Sequence, residues 1–468
     1  MAVHEACGVF GIYNPAGDCA RDTYYGLFAL QHRGQEACGI ATINDLELSV
    51  YKDLGLVGEV FNDASLDALG GTMAIGHTRY STTGGVGREN AQPLTLSYVK
   101  GSLAVAHNGN LTNTAALREE YEYKGAIFHT TTDSEIIAYI IAQERLQCGS
   151  VETAVMNAMP HLRGAFSLVV MSSRKLLAAR DPWGFRPLCI GKRGDAYVFA
   201  SETCALDTVG AAFVRDVLPG EVVWVYEGEL HSIRMAERPR SSLCVFEHLY
   251  FARPDSVIDC QSVYDARILA GRLLAREFPI DADVVIGVPD SGLVAAKGYA
   301  MERGIPYNDG FIKNRYIART FIKPSQEERE KAVRLKLNPL RAAVRDKRVI
   351  MIEDSIVRGT TTRQIVRLLR DAGAREVHVL SSAPKFISPC YFGTDVPDKA
   401  QLIAVRFTTE EICREIDADS IGFLSTESLA KIAPSSACSF CDACFTENYP
   451  VLEEARAELS AAAQQSRD

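Results

Sequence analysis

The chain has 468 residues, enough for two or three domains with large buried cores. It is 47% hydrophobic and 23% charged, an ordinary globular mix, and no apolar run approaches the roughly 20 residues of a membrane span. A net charge of −9 argues against a nucleic-acid-binding surface, and the start, MAVHEACGVFGI, lacks the basic and long apolar regions of a secretory signal, so a cytoplasmic location is expected.

From Cys7 to about Ser232 the chain holds many short β-like segments, CGVFGI, GTMAIGHTRYS, GSLAVAHNGNL, AFSLVVMS, AYVFASE and EVVWVYE, separated by Gly, Asn and Asp turns. Helices interrupt at DTYYGLFALQHRG and DSEIIAYIIAQERL, a pattern that suits an α+β domain of sheets with helices packed on them. The polar stretch 234–242, RMAERPRSS, reads as a linker. From about Cys244 the style changes. ADVVIGVPDSGLVAAKGYAMERGIPY and KRVIMIEDSIVRGTTTRQIVRLLRDAGAREVHVLSSAP both read as strand, loop, helix, strand. In the second, Ile365, Leu368, Leu369 and Ala372 keep helical spacing, and Gly373 is placed to end the helix. Such units imply a parallel sheet with helices on both faces, whose ligands bind at the carboxyl ends of the strands. PDSG and EDSIVRGTT both fall on that edge. Residues 451–468 read as a helix that frays into solvent.

The stretch 349–361, VIMIEDSIVRGTT, drives four apolar residues into two adjacent acids. A strand that ends so, followed by a helix start, can serve two purposes. Unpaired N–H groups of the turn and helix receive an anion, helped by Ser355, Arg358, Gly359, Thr360 and Thr361. Glu353 and Asp354 accept hydrogen bonds from vicinal hydroxyls and hold Mg²⁺. Phosphate and carboxylates a pentose apart describe a ribose 5-phosphate. The string resembles the signature of type I phosphoribosyltransferases, which bind phosphoribosyl pyrophosphate. The resemblance implies a companion loop at VPDSG, with Asp290 and Ser291 near pyrophosphate and Ser291 near its metal. Residues 312–337 suit either a solvated surface helix or a flap whose Lys313 and Arg315 approach the leaving pyrophosphate.

At the front, Cys7 opens an alternating apolar segment, and LQHRGQEACGI, GHTRYSTTGG, AHNGNLTN and TTTDSE follow. Together they resemble the glutaminase domain of the class II, N-terminal-nucleophile amidotransferases. The resemblance implies that residues 1–6 are a propeptide and that Cys7 is nucleophile and, through its freed α-amine, its own base. Arg79 would clamp the glutamine carboxylate and Asp133 its ammonium, while Asn108 and the Gly109 N–H form an oxyanion hole. Arg33 and Gly34 would shape the wall of the site.

Thirteen cysteines, an odd number without a signal, argue against a disulfide framework. Cys438, Cys441 and Cys444 form C-x₂-C-x₂-C, a spacing used by zinc and by iron–sulfur clusters alike, zinc being the usual choice from spacing alone. The two domains in this order resemble the glutamine phosphoribosylpyrophosphate amidotransferase family, and its cluster-bearing, propeptide-processed group in particular. That resemblance implies a [4Fe-4S] cluster on Cys244, Cys390, Cys438 and Cys441, with Cys444 a bystander. It also implies a division into propeptide (1–6), N-terminal-nucleophile αββα glutaminase domain (7–240), α/β phosphoribosyltransferase domain (241–450) and tail (451–468). The implied substrates are glutamine and phosphoribosyl pyrophosphate, with ammonia channelled between sites, feedback inhibition by purine nucleotides, and assembly as a homotetramer or dimer. A sugar-phosphate synthase of the same amidotransferase class would lack the 349–361 signature, and a non-catalytic regulator would not need Cys7 and its companions.

Overall fold

The computed structural model describes residues 7–80, 85, 87–236, 241–314, 336–396 and 398–451. The expected propeptide, Arg315 with most of the expected flap, part of the linker and nearly all of the tail lie outside the described residues.

The first half is built on two antiparallel sheets. One has seven strands in the order Ala212–Asp216, Cys189–Arg193, Ala196–Ala200, Gly8–Tyr13, Met73–Arg79, Ala37–Asn44 and Glu47–Leu54. The other has six, in the order Glu229–Arg234, Glu221–Tyr226, Leu176–Arg180, Gly164–Ser172, Gly101–Leu111 and Leu94–Tyr98. Their inner faces share an apolar layer that includes Val9, Ile75, Ala106, Val169, Ala178 and Val223. Helices Cys19–Ala29 and Thr203–Thr208 cover the outer face of the first sheet, and Asp133–Gln147 with Val151–Ala158 cover the second. Burial on both faces explains why central strands such as Gly164–Ser172 read as continuous apolar runs rather than as alternation. This is the expected four-layer αββα arrangement.

The second half carries a four-stranded parallel sheet in the order Val284–Gly287, Arg348–Glu353, Glu376–Ser381 and Ser420–Phe423. Helices Val263–Glu277 and Gly292–Arg303 pack on one face, and Thr360–Asp371 on the other. Ile365, Leu368, Leu369 and Ala372 are buried as their spacing predicts, and Gly373 ends that segment. The two ends of this half are stitched together where Leu243–Cys244 pairs in parallel with Phe440–Cys441.

Candidate active sites

Cys7 stands immediately before the strand Gly8–Tyr13, and the antiparallel pairing of Gly8 with Thr78 sets it beside Arg79. Its Sγ donates to the Tyr80 carbonyl at 3.4 Å. Burial pushes the thiol pKa up; the Tyr80 hydrogen bond and the Arg79 charge oppose that shift without overcoming it. A thiol in this setting stays protonated at neutral pH and needs a neighbouring base before it can attack. Asp133 starts the helix Asp133–Gln147 and also acts on the thiol by its charge. Burial alone would raise the Asp133 pKa, but His107 at 3.5 Å and hydrogen bonds from Leu111 N–H and Ser134 hold it below the usual carboxylate range. Arg79 is buried and donates from Nη1 to the Gly85 carbonyl at 3.1 Å. Thus Arg79 and Asp133, of opposite charge, both lie near enough to the nucleophile to act on it electrostatically.

Asn108 and Gly109 lie near the end of the strand Gly101–Leu111, paired with Ser167 and Phe166. The Asn108 side chain is fully buried, yet neither its Nδ2 nor its Oδ1 has a hydrogen-bond partner among the described residues. A buried amide left so costs about 1–3 kcal/mol, which is tolerated where a ligand completes the pairing.

In the second half, Glu353 and Asp354 are side by side at the carboxyl end of the central strand and both are buried. Thr362 Oγ1 donates to Glu353 at 2.8 Å, Ser291 Oγ to Asp354 at 2.9 Å, and Ser355 Oγ to Asp354 at 2.8 Å. Burial, and then the neighbouring Asp354 charge, lifts Glu353 to about 8; burial also raises Asp354. A pair so placed is short of positive charge. Gly359 precedes the twelve-residue helix Thr360–Asp371 at φ +76, and a Cβ there would meet Ile403 at 2.3 Å, so only glycine fits the turn. Thr360 is exposed and Thr361 half-exposed at that helix's N-terminus, and the Nε of Arg358 is buried without a partner among the described residues. In the companion loop Asp290 forms an ion pair with Lys313, so two groups expected around pyrophosphate already lie together.

The expected thiols are not all brought together. Cys244 pairs with Cys441 in register, and the Cys444 backbone carbonyl accepts from the Ile387 and Ser388 N–H groups just before Cys390. Cys244, Cys390, Cys441 and Cys444 feel one another's charge, and burial raises the pKa values of Cys244, Cys441 and Cys444. Cys438 is turned elsewhere. It packs with Leu243, Ala252, Ile258 and Val263 and interacts with Asp259 and Arg180. The structure thus brings Cys444, rather than Cys438, together with Cys244, Cys390 and Cys441. C-x₂-C spacing fits Cys438 with Cys441 and Cys441 with Cys444 alike.

Several residues at these sites escaped the sequence reading. Arg33, assigned only to a wall, is fully buried and donates from Nε to the Cys7 carbonyl at 3.0 Å. Its other nitrogens bind Glu202 at 2.6 Å and Glu247 at 2.9 Å. Glu247, from the second half, also accepts from Arg186 at 3.0 Å. Two arginines and two glutamates thus form a buried, charge-balanced junction under the nucleophile. Arg267 donates to the His248 and Ala252 carbonyls at 2.8 Å, and its charge favours the ionised form of Asp354. Isolated charges in apolar surroundings, such as Arg186 in DPWGFRPL, were the available signal.

Residues 77–208 match the glutamine amidotransferase domain family, and residues 261–387 match the phosphoribosyl transferase domain family. The chain is 50% identical to the amidophosphoribosyltransferase of Synechocystis over 96% of its own length and 91% of the relative. It is 49% identical to that of Methanocaldococcus jannaschii, over 95% of this chain and 97% of the relative. A solved glutamine phosphoribosylpyrophosphate amidotransferase from B. subtilis, complexed with ADP and GMP, superposes with a TM-score of 0.88 at 48% identity, covering 95% of this chain and 97% of that one. With both catalytic halves matched in order and the likeness running nearly end to end, the chain belongs to the amidophosphoribosyltransferase family.

Proposed function

We propose that this chain transfers the amide nitrogen of glutamine to C1 of phosphoribosyl pyrophosphate, yielding 5-phosphoribosylamine, glutamate and pyrophosphate at the entry to purine nucleotide synthesis. The observation that carries the first half-reaction is the buried amide of Asn108, without a partner among the described residues, on a strand end whose Leu111 N–H donates to Asp133, a residue that acts on Cys7 by its charge. Arg79 and Asp133 orient glutamine. The α-amine of Cys7, freed by removal of residues 1–6, takes the thiol proton, and Sγ attacks the amide carbon. Negative charge gathering on the carbonyl oxygen is met by Asn108 Nδ2–H and the Gly109 N–H. Ammonia leaves and water then hydrolyses the thioester.

Free ammonia would be protonated in bulk water, so it passes to the second site sheltered from solvent. There it attacks C1 as pyrophosphate departs. Glu353 and Asp354 bind the ribose hydroxyls and stabilise positive charge developing on the ring, while Ser355, Arg358, Gly359, Thr360 and Thr361 hold the 5-phosphate. Asp290, Ser291, Lys313 and Arg315 serve the pyrophosphate. Two buried acids with raised pKa values suit a divalent cation, and Ser291, Glu353 and Asp354 would hold it. Mg²⁺, when bound, neutralises the leaving pyrophosphate.

Among the described residues no three Cys, His, Asp or Glu side chains converge tightly enough for one ion. Four thiols brought together from three separate segments match the ligand number of a [4Fe-4S] cluster. We assign Cys244, Cys390, Cys441 and Cys444 to a [4Fe-4S] cluster, which supplies a covalent tie between segments distant in sequence. Regulation by purine nucleotides is inferred from the ADP and GMP of the B. subtilis relative, and homo-oligomeric assembly and a cytoplasmic setting belong to the same reading. No described helix is long and apolar enough to cross a membrane.

Glutamine hydrolysis with and without phosphoribosyl pyrophosphate tests the reading. Strong stimulation by that compound, on protein whose mass begins at Cys7, supports it. Full hydrolysis by protein retaining residues 1–6, or stimulation by a hexose phosphate instead, defeats it.

A further inference from the structure

The turn 391–394 belongs to the second half, yet it lies against the oxyanion strand of the first. Asn110 Nδ2 donates to the Tyr391 carbonyl at 3.0 Å. Arg186 donates from Nη2 to the Phe392 carbonyl at 2.8 Å and to Thr394 Oγ1 at 3.2 Å, while its Nη1 holds Glu247. The Phe392 ring stacks on Phe185 with centroids 4.3 Å apart. Gly393 sits at φ +93, and a Cβ there would lie 3.1 Å from the Gly109 carbonyl carbon and 3.3 Å from its oxygen. Gly109 itself has φ +148, a conformation that glycine alone adopts readily; it pairs with Phe166 on one side, while beyond Val105 the other edge of its strand has no strand partner among the described residues.

We propose that Asn110 and Gly393 are positioning residues for the glutamine half-reaction: the turn 391–394 props the Asn108–Gly109 peptide in the orientation the oxyanion requires. Donors of this kind act only when held within about 0.5 Å and 10–20° of the productive geometry. Strand pairing with Phe166 holds the Gly109 peptide on one side, and the turn 391–394 of the second half backs its carbonyl. The glutaminase site is then complete only when both halves are docked. This inference rests on Asn108 and Gly109 being the oxyanion donors.

The test compares Asn110→Ala and Gly393→Ala with Asn108→Ala as reference. The measurements are kcat and KM for glutamine hydrolysis at saturating phosphoribosyl pyrophosphate, and phosphoribosylamine formation from free ammonia, which bypasses the thiol site and reports on the integrity of the second half. The expected result is a fall in glutamine kcat of about 10- to 100-fold in both variants, the usual effect of a sub-ångström to 1 Å misplacement. KM for glutamine and the ammonia-dependent rate should stay within about twofold, since Arg79, Asp133 and the acid pair are untouched. A parallel fall of both rates, a KM rise with kcat preserved, or no change in either variant overturns the proposal. Retained kcat in Asn108→Ala sinks the oxyanion reading itself, whereas loss there with both other variants normal sinks only the positioning role.

Discussion

Asn108→Ala separates a catalytic amide from a structural one, because the two roles predict effects of opposite kind. The side chain is fully buried and makes no hydrogen bond among the described residues. Truncation therefore breaks no native pairing and relieves a desolvation cost of about 1–3 kcal/mol. The void left by the lost amide offsets part of that gain, so the net change in stability should lie within about 1 kcal/mol, a shift in Tm of no more than about 2–4 °C for a chain of this size. Loss of one oxyanion donor should cut glutamine kcat by about 10²–10³, or roughly 2.7–4 kcal/mol, with KM little changed because Arg79 and Asp133 remain. Scanning calorimetry beside a coupled glutamate assay measures both quantities on one preparation. A variant that unfolds more than about 8 °C lower yet keeps its kcat would refute the reasoning, since the amide would then be holding the fold.

Three further outcomes follow from the same geometry. Glu202 is fully buried among His32, Arg33 and Ser256, which outweigh burial and hold its pKa far below the ordinary value. A depressed carboxylate contributes stability that is complete above its unfolded pKa of about 4.5 and is lost as pH falls from there toward the folded value. Glu202→Gln should cost about 3–5 kcal/mol at pH 7 and flatten that acid-limb loss; equal slopes in thermal unfolding from pH 5 to 2.5 would count against the junction. Asp133 is likewise held low, so KM for glutamine should stay level down to about pH 4, while Asp133→Asn should raise it roughly 10- to 150-fold through loss of a charge-assisted bond. A KM that climbs already near pH 6 in the parent protein excludes Asp133 as the ammonium's partner. Anaerobically purified Cys444→Ser should lose most of its iron and sulfide, whereas Cys438→Ser should keep about four irons per chain; the reverse pattern would restore Cys438 as a ligand.

Periodic and local features were legible in the sequence because their cause is local. Helical spacing of Ile365, Leu368, Leu369 and Ala372 reports the face turned to the sheet, and an acid pair followed by Gly-Thr-Thr reports a strand end feeding a helix start. What stayed hidden depends on residues far apart in the chain. Glu247 meets Arg33 across 214 positions, and Tyr391 meets Asn110 across 281. No period or motif encodes such a meeting, which follows from how two finished halves dock. The choice between Cys438 and Cys444 is hard to read for a different reason: the same spacing is repeated on both sides of Cys441, and which thiol joins Cys244 and Cys390 depends on how distant segments pack.

That same pairing sets a schedule for biosynthesis. Cys244 leaves the ribosome nearly two hundred residues before its strand partner Cys441. A nascent chain halted anywhere between them exposes a half-made edge and cannot yet assemble the junction of the two halves around a completed thiol group. The surroundings of the nucleophile likewise draw on Glu247 and the turn 391–394, so they are whole only after both have been translated.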